Sequence, residues 1–154
     1  VGTPENCVRL LEQEEAIMVF PEGHRGFVKP YSKAYQLQRF GLGFARLALQ
    51  TQTPIVPVGI VGSEEQSPGI MDATAIGRLI GAPAFPITIG FPWLGPLGYL
   101  PLPVKFRVLF GEPLYLEGDA QDEDARIEEQ VGRIRDQIAL LLEEGLSQRR
   151  SWFS

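Results

Sequence analysis

AIMVF (residues 16–20), PEGHRG (21–26), GFARLALQ (43–50) and IVPVGIV (55–61) are the segments from which the fold is read. The first is a continuous apolar run ending at Pro21, the pattern of a strand buried on both faces. In Gly43 to Gln50, Phe44, Leu47 and Ala48 share one helical face. Ile55 to Val61 is a second apolar strand, with Pro57 and Gly59 marking an irregularity or an edge. Strand, helix and strand at this spacing predict a right-handed parallel crossover. The expected fold class is therefore α/β: a mixed, largely parallel sheet flanked by helices, forming a single domain over residues 1–154.

Working outward, Thr3 is a plausible N-cap with Pro4 in the first turn of a helix whose apolar face is Val8, Leu10 and Leu11, ending near Glu14. A helix starting at the third residue of a chain that opens on Val1 reads as the interior of a longer domain. Downstream, Val104 to Phe110 alternates, with Val104, Phe106, Val108 and Phe110 on one face and Lys105 and Arg107 on the other, as in a half-exposed strand. From about Asp122 to Glu144, Ile127, Val131, Ile134, Ile138, Leu141 and Leu142 recur at helical spacing, with Gly145 as a natural C-cap. This predicts a helix docked on the sheet.

Between Leu79 and Val104 lie 26 uncharged residues, long enough to cross a bilayer. Six prolines and four glycines within them exclude a membrane-spanning helix, because each proline removes a backbone donor that lipid cannot replace. Two readings stand for Phe85, Phe91, Trp93 and Tyr99: a long loop packed as ordinary core, or the lining of an acyl-chain channel or membrane-interface contact. The tail from Arg149 to Phe153 shares this basic and aromatic character.

A lone Cys7 excludes a disulfide scaffold and a cysteine zinc site, and one histidine is too few for a zinc centre. The net charge of -5 argues against nucleic acid as a partner, yet it is unevenly distributed. Residues 1–15 carry -3, residues 16–112 carry +3 and residues 113–154 carry -5. The cationic middle fits either an anionic substrate or the contrast with acidic helix surfaces.

Within that middle, Phe20-Pro21-Glu22-Gly23-His24-Arg25-Gly26 follows the first expected strand, where α/β sheets place their ligands. Arg25 offers a donor fork suited to phosphate, Gly23 and Gly26 let backbone N–H groups come close to it, and Glu22 can accept from a polyol hydroxyl. Lys29, Lys33 and Arg39 follow within reach. The plainer reading is a strand-to-loop corner with a structural Glu–Arg pair.

FPEGHRG resembles the FPEG-x-R block of the glycerolipid acyltransferases, and PIVPV at residues 54–58 resembles that family's later, proline-bearing block. The helix GFARLA between them, VGSEEQ at 61–66 and FGEPL at 110–114 extend the similarity over nearly the whole chain. The resemblance implies transfer of a fatty acyl group from acyl-CoA or acyl carrier protein to a hydroxyl of a glycerol-phosphate or lysophospholipid acceptor. It further implies a peripheral place on the cytoplasmic face of a membrane and no cofactor besides the acyl donor. Carried over by residue, Glu22, Gly23 and Arg25 would hold the phosphate and glycerol, and Pro57 would shape the acceptor or acyl pocket.

The family's chemistry rests on a His and an Asp separated by four residues. Here Lys29 stands five positions after His24, the sole histidine, so the pair is absent and no catalytic residue is assigned. The resemblance places that block N-terminal to FPEG, in a missing part of the same domain; this chain alone is then expected to be inactive. His24 fills the variable position and is at most a minor phosphate ligand; hydrolysis by His24 with Glu22 is poorly supported. The alternative is a non-catalytic lipid-phosphate binding module. A domain lacking its first part should also expose a sheet edge and apolar surface, giving low solubility.

Overall fold

The computed structural model describes residues 3–23, 31–66, 69–72, 86–88, 93, 100 and 102–149. Helix α1 spans Pro4–Glu12, with the Thr3 hydroxyl accepting from the Asn6 N–H as N-cap. Helix α2 spans Gly43–Thr51 and strand β1 Val58–Val61. A short helical turn, α3, covers Ser63–Gln66; strands β2 (Gly69–Asp72), β3 (Pro86–Thr88) and β4 (Arg107–Phe110) follow. The long helix α4 runs Asp124–Ser147.

Both helices of the central and C-terminal regions form where apolar periodicity placed them. α4 buries Ile127, Val131, Ile134 and Leu142, with Ile138 packed beside the core. In α2 the inward residues are Ala45, Ala48 and Leu49; Phe44 is only partly buried against the same core, and Leu47 is half-buried. Phe40, Ala45 and Leu49 close against Ile127 and Val131, joining α2 to the first half of α4. Arg46 of α2 fixes the entry to α4, donating to the Ala120 and Asp122 carbonyls and to the Asp124 carboxylate.

The parallel crossover does not form. β1 pairs antiparallel with β4 and β2 antiparallel with β3, and no parallel pair occurs among the described residues. The architecture is thus mixed α and β with small two-stranded antiparallel sheets. Residues 16–20 lie outside any strand, with Met18, Val19 and Phe20 exposed. An apolar run specifies that a segment wants cover, but leaves its partner open; β1 satisfies its backbone on β4, and Ile55 bridges to Leu114.

Register explains a second departure. Val58 faces Phe110 and Ile60 faces Val108, so these four residues share one face of the sheet. α4 occupies the other face, where Leu141 meets Gly59 and Gly145 meets Val61 and Leu109. The apolar set of the last strand consequently points away from the helix, leaving Val108 50% and Phe110 71% exposed. Gly145 is an interior helical residue whose missing Cβ allows that approach; the C-cap is Gln148.

Among the described residues no helix is long and apolar enough to cross a membrane. Most of the uncharged stretch, including Phe85, Phe91 and Tyr99, lies outside the described residues, as does the tail beyond Arg149.

Candidate functional site

The chain reverses at Phe20 to Gly23, where the Gly23 N–H donates to the Phe20 carbonyl at 3.0 Å. Gly23 has φ +58, a left-handed value that favours glycine, and apart from its chain neighbours no described residue lies within 4 Å of where its Cβ would stand.

Glu22 is held from beneath. Its Oε1 accepts the backbone N–H of Gln38 at 3.0 Å, and the Pro21 carbonyl accepts the Gly41 N–H at 2.9 Å. The turn thus rests on residues 38–41, and its one carboxylate is oriented with its second oxygen unpartnered among the described residues. Of the expected site residues in this turn, Glu22 and Gly23 lie among the described residues. Arg25 lies outside the described residues, as do His24 and Lys29.

Two neighbouring cations have other surroundings. Arg39 pairs with Glu128 of α4 at 2.9 Å, both side chains largely exposed. Lys33 sits in the 3-10 turn Tyr31–Lys33 and is exposed. Pro57 is fully buried; its ring fills the space beside Gly111, and its carbonyl accepts the Gly111 N–H at 2.8 Å. Pro57 thus touches the β4 side of the sheet, and any influence on a ligand passes through packing. Among the described residues no group of three His, Cys, Asp or Glu side chains is arranged to hold a metal ion.

Sequence reasoning missed a buried polar cluster at Tyr35, where the segment under the turn begins. The Tyr35 hydroxyl donates to Glu65 Oε2 and accepts from the Gly62 N–H at 2.8 Å, and Arg149 reaches both Glu65 Oε1 and that hydroxyl. The Arg149 and Glu65 side chains are only 7% and 3% exposed. Burial, and next the hydrogen bond to Glu65, push the Tyr35 phenol above its ordinary value of 10.0. Residues 35, 62, 65 and 149 show no spacing pattern; a buried acid inside VGSEEQ is the nearest thing to a signal.

Residues 2–61, which contain the Glu22 turn, α2 and β1, match the Acyltransferase family model, supporting an acyltransferase family and acyl transfer in general. An uncharacterized protein of Mycobacterium tuberculosis is 45% identical over 150 residues, covering 94% of this chain and 42% of its own length. A Mycobacterium bovis relative, likewise uncharacterized, is similar to the same extent, 45% over 150 residues. An uncharacterized Mycobacterium leprae protein is 44% identical over 158 residues, 99% of this chain and 43% of its own length. The chain thus spans less than half the length of these curated relatives. No solved structure matches.

Proposed function

We propose that this chain supplies the acceptor-binding part of an acyltransferase that moves a fatty acyl group from acyl-CoA or acyl carrier protein to a hydroxyl of a glycerol-phosphate or lysophospholipid acceptor. The reading is supported above all by the Glu22–Gly23 turn: an oriented carboxylate beside a left-handed glycine, inside the segment that matches the family model.

In this scheme Glu22 accepts from an acceptor hydroxyl, the Gly23 backbone leaves room for the head group, and Arg25 pairs with its phosphate. The acceptor oxygen attacks the thioester carbonyl, an ester C–O bond forms, the C–S bond breaks and the thiolate takes up the proton. A His–Asp pair upstream of FPEG would remove that proton from the hydroxyl; this chain holds the acceptor for it. The apolar acyl chain brings the reaction to the cytoplasmic face of a membrane, where the cationic middle segment favours an anionic surface.

The test is an assay of the natural polypeptide with acyl-CoA and lysophosphatidic acid, alongside Arg25→Ala. Acylation, with a raised acceptor KM in the variant, is expected. A folded protein that holds the His–Asp pair and acylates no hydroxyl acceptor would sink the proposal. The lack of a His–Asp pair in these 154 residues favours one second reading, a lipid-phosphate binding module without turnover. That reading predicts liposome binding that weakens in Arg25→Ala with no product formed.

A further inference from the structure

The 35–41 segment that carries the Glu22 turn begins at an unusual residue. Tyr35 has φ +61, a left-handed conformation that a bulky side chain rarely adopts and keeps only where its surroundings enforce it. Enforcement comes through the hydroxyl, which is bound by groups from three places: Glu65 of α3, the Gly62 N–H at the end of β1, and Arg149 two residues beyond α4. Three residues after Tyr35 comes the Gln38 N–H that orients Glu22, and six residues after it the Gly41 N–H that holds Pro21.

Phe40, with Leu37 beside it, packs this segment into the core against Ile127 and Val131 of α4, but the segment's polar ties to α4 lie at the surface. Arg135 donates to the Leu37 carbonyl at 3.2 Å and Arg39 pairs with Glu128. Such exposed contacts are screened and individually weak. The Arg149–Glu65 pair is buried, where apolar residues would stabilise at least as well and where loss of either partner strands a charge. A buried ion pair joined to a left-handed tyrosine suits a part that must hold one geometry.

We propose that Tyr35, Glu65 and Arg149 are positioning residues: together they fix the 35–41 segment, and through Gln38 and Gly41 they set the orientation of Glu22 for acceptor binding. The acceptor role of Glu22 rests on the acyl-transfer reading above; the mechanical link from Tyr35 to the turn stands apart from it. None of the three touches substrate, so their effect falls on acceptor binding before chemistry.

The experiment uses the natural polypeptide as wild type, Tyr35→Phe, Arg149→Ala, Arg149→Lys and, as surface control, Arg133→Ala, which removes an exposed pair with Glu129 within α4. Two readouts are taken: kcat and KM for lysophosphatidic acid with acyl-CoA, and amide hydrogen exchange at Gln38 and Gly41. Tyr35→Phe keeps the ring and the packing, so it tests the idea even if Arg149→Ala fails to fold. Expected is a rise of about five- to tenfold in acceptor KM with kcat little changed, and similarly faster exchange at both amides, as for one lost hydrogen bond. Arg149→Lys should recover part of both effects, and Arg133→Ala should show neither. A folded Tyr35→Phe with unchanged exchange at Gln38 and Gly41 overturns the proposal, as does faster exchange with an unchanged acceptor KM. If the wild type acylates nothing, the acyl-transfer reading falls alone, and exchange at the two amides decides the positioning role by itself.

Discussion

Gly145 of α4 lies directly against Val61 of β1: a Cβ on Gly145 would stand 2.8 Å from Val61 Cγ2, and equally close to Leu109 Cδ1. The sheet and the long helix meet so closely there that a methyl group would have to displace the Val61 or Leu109 side chain. α4 carries a second interior glycine, Gly132, whose Cβ would meet no described residue within 4 Å. The two positions have the same helical propensity to gain and opposite packing. Gly132→Ala should stabilise the chain by up to about 1 kcal/mol, the usual helix-interior difference. Gly145→Ala should destabilise it by about 1–3 kcal/mol, because overpacking outweighs that gain. Urea denaturation of both variants checks the pair, and equal shifts of the same sign would contradict the close approach.

That contact also shows where the sequence stops being informative. The apolar steps of α4 name its buried face almost residue by residue, because periodicity is local and that face has a large area to cover. Gly145 reads as a helix stop by the same local logic, yet β1 lies against it and the helix runs on to Ser147. Residues 16–20 read as a buried strand because they are apolar, but strand partners are chosen across the chain, and β1 takes β4. At the site, the Glu22–Gly23 turn was legible from its glycine and its motif. The Tyr35–Glu65–Arg149 cluster was not, since its members come from three separate elements.

Glu22 separates a structural from a recognition role. Glu22→Ala leaves the Gln38 N–H without its acceptor and should cost about 0.5–1.5 kcal/mol of stability. Glu22→Gln keeps an oxygen there and should cost clearly less by thermal or chemical denaturation. Both variants remove the anionic acceptor, so under the acyl-transfer reading both should weaken acceptor binding. Equal destabilisation by the two would mean that the Gln38 contact is not what Glu22 supplies to the fold.

Alkaline pH should unfold this chain through Tyr35. Burial, reinforced by the hydrogen bond to Glu65, raises its folded-state phenol above the unfolded value of 10.0. Stability from this group is complete below about pH 10 and is lost as pH climbs toward the folded value, because in that window the unfolded chain has shed a proton the folded one keeps. Tyr31 shifts in the same direction, by burial first and then by Glu65, so it leaves a residual slope. Tyr35→Phe should therefore flatten, without abolishing, the fall of melting temperature above pH 10. An unchanged slope would place the titrating group elsewhere.

The sheet face opposite α4 sets the behaviour of the 154-residue chain in solution. Val58, Ile60, Val108 and Phe110 share it by register, and the last two are half or more exposed. Contiguous exposed apolar surface of this kind promotes association. Val108→Thr with Phe110→Thr keeps strand-compatible side chains while adding hydroxyls that water can satisfy. The double variant should be more soluble and bind less of an apolar dye, with stability altered by no more than about 0.5 kcal/mol per site, the usual range for surface positions. On a covered face the same hydroxyls would be buried and the truncated phenyl ring would leave a cavity, costing about 3–5 kcal/mol for the ring alone. A melting temperature that drops on that scale would show Phe110 to be packed in solution rather than open to solvent.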